Sequence, residues 1–164
     1  MLPRPVVVAF LLFEIMNLGC GGGPVVLSPD EKMTLYSLDP SSMEGSMRWD
    51  GKKHSGETFH GYVVFGKLEI VDAAKRKEIA HAMNTGVAKG DAMAKCFEPR
   101  HGIRATKGDV VRDFVVCFEC AQFVVHQGET SERKAISRDP QPVLNNLLKK
   151  AGVNVAPELY EKAE

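Results

Sequence analysis

The stretch IRATKGDVVRDFVVCFECAQFVV, Ile103–Val125, decides the fold. Ile103–Thr106 and Val110–Val125 flank the turn-prone tripeptide Lys107-Gly108-Asp109, and apolar, β-branched arms on both sides of such a turn read as a hairpin. The second arm is unusually long and apolar, which predicts a strand running through the centre of a sheet. Working outward, Tyr62, Val64, Leu68 and Ile70 alternate with Lys67 and Glu69, the period of two that a half-buried strand requires. Asp72 then suits an N-cap, and Ile79, Met83 and Val87 recur every four residues up to Gly90, which predicts a helix lying on one sheet face. Ser28-Pro29-Asp30-Glu31 has the pattern of a capped helical turn, Leu35–Leu38 reads as a short strand and Thr130–Ile136 as an edge strand. Asp139-Pro140 opens a second helix carrying Leu144, Leu147, Leu148 and Ala151 before Gly152. Pro40–Glu57 reads as a long polar loop whose Met43, Met47 and Trp49 fold back onto the core. The fold class is α+β: a single domain with an antiparallel sheet of four to five strands and two main helices packed on it.

The N-terminus reads as an export signal rather than as part of that fold. Arg4 precedes the apolar run Val6–Phe13, and Leu18-Gly19-Cys20 leads into Gly21-Gly22-Gly23-Pro24. A thiol directly after a small residue, followed by glycines, offers an accessible backbone and a nucleophilic sulfur to a lipid-modifying enzyme. Residues 1–19 are therefore expected to be a signal peptide, with Cys20 as the lipid attachment point, 20–27 as a flexible linker and 28–164 as the globular domain. Asn17 stands where such signals usually carry Leu, and Glu14 puts a charge in the apolar region. Val6–Leu18 falls short of the roughly 20 apolar residues a membrane-spanning helix needs, so lipid would be the membrane's hold on the chain. The expected location is the periplasmic or outer face of a bacterial envelope.

Charge excludes one class of partner. Lys and Arg number 21 against 21 Asp and Glu, and removing Arg4 and Glu14 with the signal leaves the balance at zero, so no net field favours nucleic acid. At 44% hydrophobic and 26% charged residues the chain is globular rather than disordered.

Chemistry-bearing residues concentrate in Cys96-Phe97-Glu98-Pro99-Arg100-His101-Gly102-Ile103-Arg104 and Cys117-Phe118-Glu119-Cys120, with Phe59-His60-Gly61 as a third contributor. These motifs, behind a lipoprotein-type signal and Ser37–Pro40, resemble a family of uncharacterised exported proteins of planctomycete-like bacteria. The resemblance covers most of the mature chain and implies a fold and a compartment, and no catalytic role.

In a regular strand Cys117 and Cys120 would lie about 10 Å apart with side chains on opposite faces, so they are not expected to bridge each other. Nor does the strand offer the helix N-terminus that lowers a redox thiol's pKa. An exported domain favours a structural disulfide from Cys96 to either Cys117 or Cys120, which would contribute about 3 kcal/mol, with the remaining thiol buried in the core. The alternative is zinc held by Cys96, His101, Cys117 and Cys120, with His60 able to replace one ligand, and a thiol-redox enzyme ranks behind it. His60, Arg100, His101 and Arg104 are candidate ligand-binding residues, since guanidinium and imidazole donors near a glycine suit an anion. The competing structural reading pairs Arg100, Arg104 and Arg112 with Glu98, Asp113 and Glu119, and makes His101 a hydrogen-bonded structural residue. His54, His81 and His126 read as surface. No constellation here amounts to a reaction, and no cofactor is expected; the function read from the sequence is a lipid-anchored, disulfide-stabilised binding or structural domain whose partner is an envelope protein or a small ligand.

Overall fold

The computed structural model describes residues 26–44, 51 and 55–157. Residues 1–19, expected to be a signal peptide, and Cys20, Met47, Trp49 and His54 lie outside the described residues. The elements, in chain order, are β1 (Lys32–Asp39), a 3-10 turn (Pro40–Ser42), β2 (Thr58–Phe59), β3 (Tyr62–Ile70), α1 (Ala73–Lys89), β4 (His101–Lys107), β5 (Val110–Cys117), β6 (Gln122–Gln127), β7 (Thr130–Ala135) and α2 (Gln141–Lys150). All strand pairs are antiparallel, and the spatial order is β2-β3-β1-β4-β5-β6-β7.

The class is α+β, but the sheet has seven strands rather than four or five. The difference arises mainly at the long apolar arm, which is two strands and not one. Phe118–Ala121 form a turn between β5 and β6, closed by a hydrogen bond from Ala121 N–H to the Phe118 carbonyl at 3.1 Å. Apart from Glu119 the turn is apolar, because Phe118 and Cys120 are themselves buried, so hydrophobicity gave little sign of the reversal. The two-residue strand β2 was likewise invisible to a periodicity argument.

Strand alternation gives the sheet two unlike faces. Met33, Leu35, Ile103, Ala105, Phe114, Val116 and Phe123 point toward Ile79 and Met83 of α1 and Leu144 and Leu148 of α2 and form the main core. Asp72 caps α1 by accepting from Lys75 N–H at 2.9 Å, as its position predicts. Gly90 ends α1 for a different reason from the usual left-handed stop: its φ is −72°, and a Cβ there would stand 2.6 Å from the Ile136 backbone nitrogen. Ser28–Glu31 form a turn that does not continue into a helix; Glu31 accepts from Ser28 N–H at 2.7 Å and its carboxylate then takes Arg112 from β5. The folded region reaches back to Val26 and Leu27, two residues before the expected boundary, since Asn84 accepts from both backbone N–H groups and Leu27 is buried.

Among the described residues the opposite face carries no helix. Tyr36, Leu38 and Val115 project from it and join Phe59 and Tyr62 in a second, smaller apolar cluster, with Met43 packed alongside as expected of that loop residue. His60 and Gly61 both have positive φ, 49° and 89°, which makes the Phe59–Tyr62 connection the tight two-residue hairpin turn that matches strand twist.

Candidate functional site

The β2–β3 hairpin begins at one edge of the sheet, yet its tip lies across the helix-free face as far as β5 and β6. Phe59 stacks on Tyr36 of β1 with ring centroids 4.4 Å apart and rests over Gly102 of β4, where a Cβ would meet the Phe59 ring at 2.7 Å. Gly102 is thus the gap that lets the hairpin close down on the sheet. His60 is carried over Asp113 of β5 and His126 of β6, which are register partners directly opposite each other.

Two side chains converge there on one carboxylate, and a third stacks on one of them. Arg104 Nε and Nη2 donate to the two Asp113 oxygens at 2.8 and 2.7 Å, a bidentate pair across the β4–β5 ladder, where Arg104 and Asp113 are also register partners. His60 Nε2 lies 2.9 Å from Asp113 Oδ2. The ionised carboxylate only accepts, so Nε2 carries the hydrogen and Nδ1 faces away from it. His126 lies parallel to His60, centroids 3.9 Å apart and planes within 14°. Burial alone would raise the Asp113 pKa, but the hydrogen bonds from Arg104 and His60 outweigh it and hold the carboxyl below its ordinary range. Burial, and then the neighbouring His60, push the His126 pKa down. Arg104 remains 46% exposed and His60 29%, so the cluster opens to solvent while Asp113 beneath it does not.

Arg100 and His101 belong elsewhere. Both are buried, which removes them from a ligand surface. Arg100 Nη2 donates to the Glu119 carboxylate, and both side chains are 4% exposed. Arg112 pairs with Glu31, not with the acids nearer to it in sequence, because β5 runs its Arg112 end past the N-terminal turn. His101 points toward α2, where Nε2 meets Asn145 Oδ1 at 2.7 Å and the ring lies edge-on to Phe118. Burial pushes its pKa down to about 4, against the Asn145 hydrogen bond, with Arg100 adding to the lowering.

That depression fixes a pH dependence. An unfolded His101 takes its proton near its ordinary value of 6.5 and the folded one only near 4, so between these values the unfolded chain binds more protons. Stability is therefore complete above the unfolded value and declines as pH falls through this window, and His126 contributes with the same sign. Urea midpoints measured from pH 8 to 4 should be level at first and then drop, and His101→Gln should flatten the drop. A decline that is identical in His101→Gln would show that other groups carry it.

The cysteines resolve the open pairing. Cys96 and Cys120 form the disulfide, with Cα atoms 5.6 Å apart, and Cys117 is buried and free. Cys117 does not lie mid-strand but ends β5, and its sulfur accepts from the N–H groups of Glu98 and Cys120, each at 3.3 Å. Burial raises its pKa, and those two donors pull against the rise. Segment 94–98 is tied over this corner: Gln122 Nε2 donates to the carbonyls of Ala94 and Cys96, and Arg133 stacks on Phe97 at 5.1 Å.

Cys117 follows Val116, the register partner of His101, so the two side chains occupy opposite faces of the sheet. His101 has the orienting amide that a Cys-His pair would need, in Asn145, but among the described residues no thiol lies on its side. The same separation removes His101 from any zinc set with these sulfurs, and His60 is committed to Asp113. His81 is exposed, as read from the sequence, whereas His126 is half-buried against His60. Its place in the cluster had one sequence signal: it alternates with Val124 on β6 and so shares a face with Asp113. No helix among the described residues is long and apolar enough to cross a membrane. Comparison with protein-family models, with curated proteins and with solved structures finds no match to this chain.

Proposed function

We propose that the chain is a lipid-anchored binding domain of the bacterial cell envelope, non-catalytic, that takes a polar ligand on its helix-free sheet face through His60, Arg104 and His126. The observation that carries this reading is the convergence of Arg104 and His60 on the buried Asp113 carboxylate, with His126 stacked outside them. A carboxylate that already accepts three hydrogen bonds holds the Arg104 and His60 side chains in place, so their remaining polar atoms are pre-organised and lose little side-chain entropy when a ligand arrives. His60 also occupies a left-handed backbone position where Asn or Gly is the ordinary choice, a placement that makes sense if its imidazole is needed at that point. The Cys96–Cys120 bridge serves stability in an oxidising compartment. The anchor reading rests on the Leu18-Gly19-Cys20 pattern.

Two measurements test the two halves of the proposal. Intact-mass analysis of the mature protein from its native host should give a diacylglyceryl mass on Cys20, and an unmodified Cys20 would remove the anchor. For the site, imidazole nitrogen resonances are followed during titration with carboxylate, phosphate and sugar-acid compounds. A binder should move His60 and His126 together and leave His101 unmoved, and Arg104→Ala should weaken it at least tenfold. Binding that shifts His101, or that survives Arg104→Ala, would place the ligand elsewhere.

A further inference from the structure

The Asp113 cluster is one end of a longer polar row on the helix-free face. Thr34 of β1 stands opposite Glu69 of β3 on one side and Arg104 of β4 on the other. Arg104 stands opposite Asp113, and Asp113 opposite His126, so the row crosses β3, β1, β4, β5 and β6 in turn. Lys32 and Thr106, also register partners, lie one step along on the same face. Glu69, Thr34, Lys32, Thr106 and Arg104 border a cleft of about 650 Å³, to which Asp30 adds a carboxylate and the buried Met33 and Ile70 add apolar lining. Arg104 belongs to both cleft and cluster, so the two are continuous.

The cleft carries charges of both signs that the fold leaves unused. Lys67, two residues before Glu69 on the same strand face, is taken by Glu57 at 2.8 Å, and Glu31 is taken by Arg112 at 2.7 Å. Among the described residues, Glu69, Asp30 and Lys32 form no ion pair. Arg104 gives two N–H groups to Asp113, which also cancels its charge, but a guanidinium has five, and the rest still offer a planar fork. Lys32, diagonal to Arg104 across the β1–β4 ladder, supplies the positive charge that Asp113 does not cancel. Carboxylates thus stand at the β3 side and N–H donors at the β4 side, with the Thr34 hydroxyl between them. That pattern matches a dipolar ligand and not a simple anion.

We propose that the ligand of this face is a short peptide of two or three residues with free ends, its carboxylate on Arg104 and Lys32 and its ammonium on Glu69 and Asp30. The proposal rests on the reading of His60, Arg104 and His126 as the ligand surface and names the class of ligand. Glu69 and Arg104 are two interstrand spacings apart, about 10 Å, which an extended chain of about three residues spans and a single amino acid does not. The Thr34 and Thr106 hydroxyls, each able to donate and to accept, suit the peptide groups that would lie over them. A phosphate would meet the donor side alone, and a neutral sugar would leave both charged ends without partners. His60 and His126 border the carboxylate end, so their rings report on its occupancy.

The full chain is titrated at low salt, where exposed charges are least screened, with tri-alanine, N-acetyl-tri-alanine and tri-alanine amide, following the imidazole resonances and the Thr34 and Thr106 amides. Glu69→Gln and Lys32→Gln, both at exposed positions and so expected to fold, are run in parallel. Tri-alanine should move His60, His126 and both threonine amides together, and each blocked peptide should bind about tenfold more weakly, the scale of one lost hydrogen bond to a charged group. In Glu69→Gln the free and acetylated peptides should bind alike, and in Lys32→Gln the free and amidated ones should come closer together. Acetylated peptide binding as tightly as the free one, or a preference that persists in Glu69→Gln, would overturn the peptide assignment. If simple carboxylates still moved His60 and His126 in that case, the ligand surface itself would stand. Failure of every carboxylate compound, tri-alanine included, to move these rings would remove both.

Discussion

Arg100→Ala is expected to destabilise the domain by about 3 to 5 kcal/mol, enough to unfold much of it at ambient temperature, because it strips the guanidinium from the Glu119 carboxylate at a place water does not reach. Both side chains are 4% exposed, so neither charge can be re-solvated without opening the β5–β6 turn. The informative partner is the double variant Arg100→Met with Glu119→Gln. Removing both charges should recover most of the loss, since the cost of a broken buried pair is chiefly the charge left behind and not the attraction forgone. Urea unfolding of the two variants checks this. The contrast within the molecule is Lys89 with Asp139, an ion pair 61% and 52% exposed, whose removal should hardly move the midpoint because water and salt already screen it. If Arg100→Ala behaved like Lys89→Ala, the pair would be far better hydrated than its burial implies.

Loss of the disulfide is the second large effect. The bridge joins residues 24 apart, and releasing a loop of that size is expected to cost about 3 kcal/mol, chiefly by freeing the unfolded chain. Cys96→Ser and Cys120→Ser should therefore shift the urea midpoint by similar amounts, and should also steepen the transition, since the uncrosslinked unfolded chain exposes more surface. Native packing adds its own contribution. Without the bridge, segment 94–98 is held to the sheet by the Gln122 hydrogen bonds, the Ala94 N–H bond to the Cys120 carbonyl and the Arg133–Phe97 stack. Proteolysis at 90–95 should accelerate in the same variants. Unchanged midpoints and unchanged cleavage would mean the corner is held by packing alone.

How much was legible differs by element. Both helices were readable because their apolar positions repeat at three and four residues and their ends carry Asp72, Gly90 and Gly152, local signals that need no tertiary information. The β4–β5 hairpin was readable from its turn residues. The β5–β6 reversal was not, because the turn carries buried side chains and lacks the polar, glycine-rich composition that marks a turn; Ala121 takes the left-handed position where Gly would have announced it. The two-strand reading of that stretch changes the chemistry as well as the count. Cys117 and Cys120, expected to be separated along a strand, are instead brought round one bend.

The candidate ligand residues divide in the same way. His60 and Arg104 meet although they are 44 positions apart, because Gly102 lets the hairpin settle on the sheet and Asp113 gives both a common acceptor. Arg100 and His101, adjacent in sequence and both attractive as ligand-binding groups, are buried on opposite faces, one against Glu119 and the other against Asn145.

By itself, the sequence determined the α+β class, both helices, most of the strands, the expectation of export and the need for a bridge from Cys96, because periodicity, caps, the apolar N-terminal run and cysteine count are properties of short stretches of chain. The choice of Cys120 over Cys117, the seven-strand sheet and the convergence of His60 and Arg104 on Asp113, with His126 stacked on His60, were decided only in three dimensions. Each depends on which face a side chain takes and on how far a hairpin folds across a sheet, and a single residue of register reverses the first while one glycine permits the second.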